Sequence, residues 1–185
     1  MKRILVASIP RCGSTMLFRT IAGLGKGSTM PADYEGPHLK THSFDPERFA
    51  GTADMAIFLF GDVMSSVAST RQRRYTQSHF DNCGAGHLSP DDTDIYDADH
   101  LNYEKMFDAW MQRTTLPHVA VRYERLHALA PALTKLLGCP LPLIERRRRR
   151  TRHEAIDPAD RRRIRKAYRS LIEKVAQAPD LSCWL

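Results

Sequence analysis

An α/β domain built around a mainly parallel sheet is the fold this sequence predicts. Two observations carry the prediction. Short, wholly apolar runs at 4–8, 56–60 and 119–121 read as buried strands, and the stretches between them repeat apolar residues at helical spacing. Strands that alternate with helices are joined by crossovers, and crossovers make neighbouring strands parallel. At 185 residues the chain suits one domain, 1–185, with its own core.

Each element has its local reason. Ile4-Leu5-Val6-Ala7-Ser8 is a buried strand, and the turn Pro10-Arg11-Cys12-Gly13-Ser14 follows it. From Thr15, apolar residues at Leu17, Ile21 and Leu24 mark a helix that Gly23, Gly25 and Gly27 stop. Residues 38–42 form a short second strand and 56–60 a third. Gly61-Asp62 closes the third strand, and Val63 and Val67 begin a helix running toward Arg74. Residues 75–100 are poor in apolar side chains and rich in Asp, His, Gly and Ser, which predicts a mobile lid. Tyr103, Met106, Phe107, Trp110 and Met111 share one helix face; 119–121 is a strand. Leu126, Leu129, Leu133, Leu136 and Leu137 share a helix face that Gly138 and Pro140 close. Asp157-Pro158 is an N-cap with proline at the first helical position, and Ile164, Tyr168, Leu171, Ile172 and Val175 carry a single last helix.

Charge and cysteine usage narrow the function. No apolar run approaches the roughly 20 residues of a membrane span, and Met1-Lys2-Arg3-Ile4 has no apolar stretch of signal-peptide length behind it. Cys12, Cys83, Cys139 and Cys183 lie far apart with no CxxC pair, the usage of a reducing compartment, so a cytoplasmic protein without a zinc site is expected. The net charge of +7 is concentrated: residues 146–166 hold eleven Arg or Lys against three acids, and the rest of the chain sums to −1. One basic segment fits a polyanionic ligand or a nucleic-acid patch. Neither an aromatic RNA-binding pattern, a helix-turn-helix signature nor a zinc knuckle accompanies it, which argues against nucleic acid.

The opening strand-turn-helix unit carries the chemistry. A turn that leads into a helix N-terminus presents unpaired N–H groups and the positive end of the helix dipole, which favour an anion. Gly13 allows close backbone approach, Ser14 and Thr15 add hydroxyls, and Arg11 adds a charged fork. The plainer alternative is an ordinary turn capped by Ser14. Other phosphate loops fail on spacing. A GxxxxGK[ST] loop ending at Gly25-Lys26 would need glycine where Thr20 stands. A cysteine phosphatase needs arginine six after Cys12, where Phe18 stands, and the GxG of 23–25 continues to Ser28 rather than glycine.

Three segments then resemble one family. Ile9-Pro10-Arg11-Cys12-Gly13-Ser14-Thr15-Met16-Leu17 is similar to the PKSGTTWL or PRSGSTxL loop of sulfotransferases that use 3′-phosphoadenosine 5′-phosphosulfate (PAPS). Lys40-Thr41-His42 resembles their KTH motif, and Val121-Arg122-Tyr123-Glu124-Arg125-Leu126 their VRYEDL segment. The resemblance implies a three-layer α/β/α, P-loop-like sulfotransferase fold and transfer of a sulfuryl group to a hydroxyl or amine of a small-molecule or glycan acceptor, without a metal. It also implies roles. Arg11 and the backbone of Cys12, Gly13, Ser14 and Thr15 would hold the 5′-phosphosulfate. Lys40, with Arg11, would stabilise the leaving oxygen, His42 would be the general base, and Tyr123 would lie near the adenine.

Two departures bear on the 3′-phosphate. The family pattern RNPxDxxxS begins with arginine, whereas Gly61 stands here with Ser69 eight residues later; Arg71, Arg73 or Arg74 would replace the charge. The family's RKGxxGDWK loop is replaced by the glycine-free run 146–150, which offers Arg147 and Arg148. Two other classes fit parts of the pattern. One is a phosphate-loop kinase or nucleotide hydrolase, with Asp62 as its magnesium carboxylate. The other is a non-catalytic member of the fold that binds a nucleotide or nucleic acid.

Overall fold

A computed structural model of the chain describes residues 2–25, 27, 33–72, 77–138, 140–142 and 156–185. Among the described residues the order is β1 (Ile4–Ser8), α1 (Ser14–Ile21), β2 (Leu39–Thr41), β3 (Met55–Phe60), α2 (Val63–Gln72), α3 (Gln77–Asn82), α4 (Tyr103–Trp110), β4 (His118–Arg122), α5 (Leu126–Leu137), α6 (Pro158–Ala167), α7 (Arg169–Gln177) and β5 (Leu181–Trp184). The strands form one sheet in the order β2-β1-β3-β4-β5. The first four run parallel, in registers such as Val6↔Lys40, Val6↔Ile57 and Phe58↔Ala120, and β5 runs antiparallel to β4.

Burial explains the apolar runs. Every residue of β1 and β3, two of the three interior strands, is buried, as expected of parallel strands covered on both faces. Phe58 stacks on Trp110 of α4 at 5.6 Å, and Phe60 meets Phe107 edge-on at 5.4 Å, so α4 is fastened to the sheet by aromatic contacts. Trp110 Nε1 donates to the Ser43 carbonyl oxygen at 3.0 Å and ties the chain just beyond β2 to the same helix. No helix among the described residues is long and apolar enough to cross a membrane.

The strand order positions the site. From β1 the chain moves to one side to make β2, then crosses back past β1 to make β3 on the other side. The connections leaving β1 and β3 therefore diverge, and in open α/β sheets ligands bind in the crevice this divergence leaves beyond the carboxyl ends of the strands. The turn before α1 and Gly61-Asp62 before α2 both border that crevice.

One expectation changes, and two features go beyond the sequence reading. The final apolar face belongs to two helices, α6 and α7, broken at Tyr168 (φ −111°, ψ 21°), although the Tyr168 N–H still donates to Ile164 and Ile172 N–H to Tyr168. β5 was not legible as a strand, because its four residues at the sheet edge are mostly half-exposed and form no apolar run. The stretch expected to be a loose lid carries α3 and a set of buried anchors; its residues 75 and 76 lie outside the described residues. Phe80, Cys83 and Ile95 are fully buried and Tyr96 nearly so. The Tyr168 hydroxyl donates to the carbonyl oxygens of Ile95 (2.9 Å) and Ala98 (3.1 Å). Arg163 pairs with Asp94, Asp97 and Asp160, and the Asp99 carboxylate accepts from the first-turn N–H groups of Tyr103 and Glu104 at 2.8 Å. A few well-placed side chains thus seat a polar segment that has little apolar content of its own.

Tyr168→Phe removes the donor that serves two main-chain acceptors. It is expected to lower stability by about 1–2 kcal/mol in chemical denaturation and to speed proteolytic cleavage within 77–100. Equal cleavage rates would show that the segment is seated by other contacts.

Candidate active site

The turn after β1 is shaped by two left-handed residues, Arg11 (φ 71°) and Gly13 (φ 79°). Such angles cost an ordinary side chain energy and glycine little. Gly13 has a second reason to be glycine. A Cβ there would run into the Tyr123 ring, which lies directly over it. Gly13 is the N-cap of α1 and no side chain caps this end, so Ser14 is the first helical residue and not the cap of the plainer alternative. The first-turn N–H groups of α1 have no intrahelical acceptors, as at any helix start, and no acidic residue stands in that turn. Cys12 contributes backbone only: its side chain is fully buried, with Sγ 3.4 Å from Ser66 Oγ on α2.

Lys40 and His42 reach the same place from β2. Alternation along a strand puts residues two apart on one face, and here Lys40 Nζ donates to His42 Nε2 at 3.1 Å. His42 Nδ1 lies 2.8 Å from the Ser8 carbonyl oxygen, to which it donates. Burial pushes the His42 imidazole down to about 3, with further lowering from Lys40, His79 and Arg11 against the favourable Ser8 contact. The ring is half-buried, and both of its nitrogens face protein groups, Lys40 and the Ser8 carbonyl. Burial, with Arg11 as a second cause, lowers Lys40 as well.

The structure brings Arg11, Gly13, Ser14, Thr15, Lys40, His42, Ser69 and Tyr123 toward one region. Arg11 Nε donates to Ser69 Oγ at 3.2 Å, which joins the turn to α2. Arg71 is engaged elsewhere: it pairs with Asp94 (3.1 Å) and Asp160 (3.8 Å) and lies 4.2 Å from the centre of the Tyr96 ring, seating the 77–100 segment. Arg73, Arg74, Arg147 and Arg148 lie outside the described residues.

Two residues were missed by sequence reasoning. His79 on α3 is coupled to Arg11 and Lys40, both of which depress it after burial does; nothing in its spacing distinguished it from the other histidines of its segment. Glu124 accepts from the Asp62 N–H at 3.2 Å, and a Cβ on Gly61 would sit 2.6 Å from its carboxylate. The Glu124 carboxylate, the end of a flexible side chain, thus lies where a side chain at residue 61 would begin. Asp62 caps α2, its Oδ1 accepting from the N–H groups of Met64 (3.1 Å) and Ser65 (3.4 Å) and its Oδ2 from the Ser65 hydroxyl. Among the described residues no three His, Cys, Asp or Glu side chains gather as a metal-binding group. No protein-family model matches the chain, and no curated protein matches it.

His42 has a pH signature. The unfolded chain binds its proton near the ordinary 6.5 and the fold resists it down to about 3, so the stability held above 6.5 is lost as pH falls through that window. His42→Asn keeps a donor for the Ser8 carbonyl and does not titrate. Its denaturation midpoint is expected to depend less steeply on pH between 6.5 and 4 than that of the wild type; the remaining slope belongs to His38 and His79, which burial also depresses, and toward pH 4 to carboxylates such as Glu47 and Asp54 that hydrogen bonds hold low. Superimposable profiles would contradict a neutral, buried His42.

Proposed function

We propose that this chain is a PAPS-dependent sulfotransferase with a P-loop-like, three-layer α/β/α fold. One observation carries the proposal: an uncapped helix N-terminus at the topological switch of the sheet, with Arg11, Lys40 and His42 converging beside it. Fixed donors at such a site stabilise charge on a leaving phosphate without reorganising.

PAPS would supply a sulfuryl group on a good phosphate leaving group. The chain's residues supply the rest. The amides of Gly13, Ser14 and Thr15 bind and orient the 5′ end, and Tyr123, packed on Gly13, walls the nucleotide side. Lys40 and Arg11 stabilise charge that grows on the bridging oxygen as its bond to sulfur breaks. His42 Nε2 receives the proton of the acceptor hydroxyl or amine as the new bond to sulfur forms. Ser69, held by Arg11, would meet the 3′-phosphate. The capping contacts of Asp62 weigh against the kinase reading, which would need that carboxylate for magnesium.

A second reading, a non-catalytic nucleic-acid-binding member of the fold, is favoured by one feature. Arg162, Arg165, Lys166 and Arg169 are exposed at helical spacing, and among the described residues none of them has an ion pair. Such a stripe suits a row of phosphates.

Calorimetry separates these readings. Micromolar binding of 3′,5′-ADP in EDTA, tighter than 5′-AMP, is expected for the sulfotransferase. A requirement for magnesium with preference for ATP would point to the kinase class. Binding of RNA that weakens steeply with salt, with no binding of 3′,5′-ADP, would replace the enzyme reading with the second one.

A further inference from the structure

The two nitrogens of His42 have fixed and different roles. Nδ1 carries the proton and donates it to the Ser8 carbonyl oxygen at 2.8 Å. Nε2 therefore carries the lone pair, and Lys40 Nζ, 3.1 Å away, donates into it. A base in this state is blocked, because the electron pair that would take a proton already accepts a hydrogen bond from an ammonium. The surroundings reinforce the block. His42 faces Lys40 on its own strand, Arg11 from the turn after β1, His79 from α3 and the Ser8 carbonyl of β1; the three side chains and burial all oppose an imidazolium, and the carbonyl alone favours one.

Lys40 itself sits beside competing attractions. It shares its pocket with the Arg11 guanidinium, which disfavours the ammonium, and it stands near the helix N-terminus that we take to be the anion site. An anion bound there offers Lys40 a charged acceptor in place of a neutral imidazole, and charge-assisted hydrogen bonds are the stronger.

We propose that Lys40 gates His42: its ammonium caps the Nε2 lone pair until an anion at the neighbouring turn draws it away, and its departure exposes the base. The catalytic use of this gate rests on the sulfotransferase reading; the capped pair does not. In transfer, the bond between sulfur and the bridging oxygen breaks, the electron pair stays on the nucleotide phosphate, and Lys40 follows that charge. The acceptor oxygen or nitrogen bonds to sulfur and gives its proton to the freed Nε2. Without a bound anion the site has no available base.

Ring ¹⁵N and ¹H–¹³C NMR of His42 in the full chain tests this, with His42→Asn identifying the signals. The wild type is expected to show the Nδ1–H tautomer at neutral pH and to stay unprotonated to below about pH 5. Lys40→Met keeps the stem without the charge and is expected to raise the His42 midpoint by about one unit or more. Inorganic sulfate, used as the anion probe, is expected to raise the midpoint further in the wild type than in Lys40→Met. An Nε2–H tautomer in the wild type overturns the gate and needs no variant. So does an unchanged midpoint in a folded Lys40→Met protein, or an equal response of both proteins to sulfate. Calorimetry of 3′,5′-ADP on the same samples keeps the two questions apart: no nucleotide binding together with an unmasked His42 leaves the gate standing and removes the sulfotransferase reading.

Discussion

A left-handed Gly13 beneath the Tyr123 ring fixes how β1 turns into α1, and the other parts of the site are arranged around that turn. Because residue 13 has no side chain, Tyr123 closes over the backbone, and α1 begins without a side-chain cap. The buried Cys12 side chain anchors the turn from below through Ser66, and Arg11 reaches from its other side to Ser69. The turn is thus held to α2 at two points. Donors fixed in this way are the kind of backbone dipole that acts without reorganising.

The electrostatics of the crevice are divided. Arg11, Lys40, His42 and His79 gather on the side of β1 and β2, and each of the three titratable groups that burial perturbs there is shifted toward its neutral form. Groups of one sign gathered in this way disfavour one another's charged forms. Across β3, Glu124 and Asp62 place carboxylates at the start of α2 and use them on main-chain N–H groups. Three cations further along the chain are committed to structure: Arg71 and Arg163 hold Asp94, and Lys174 holds Glu104 and Asp108. Exposed pairs of this kind contribute little stability individually, but together they seat the polar segment before α4.

Much of this was legible in the sequence because it rests on local patterns. The apolar runs of β1 and β3, the Asp157-Pro158 helix start and the Gly138 stop are each set by residues adjacent in the chain, and the turn at 9–15 announces itself through its small residues. What the sequence did not disclose depends on partners distant in the chain. Tyr123 and Gly13 are 110 positions apart, and Glu124 occupies the space at Gly61 from a different strand end. His79 reaches the site from α3, which is seated by the buried Phe80. The stretch 75–100 looked featureless since its anchors are few and their acceptors are main-chain carbonyls reached by Tyr168 from the far end of the chain. Lys40 and His42 were singled out by motif, but the hydrogen bond between them follows from strand geometry and was not anticipated.

The central claim is that the turn after β1 grips the phosphorylated 5′ end of an adenosine nucleotide. Residue-resolved amide hydrogen exchange with and without 3′,5′-ADP addresses it at the atoms concerned. The account predicts slowed exchange at Gly13, Ser14 and Thr15, with the distant β5 strand unchanged. Saturating nucleotide that leaves those three amides exchanging at their free rate, or protects only residues remote from the turn, would contradict it.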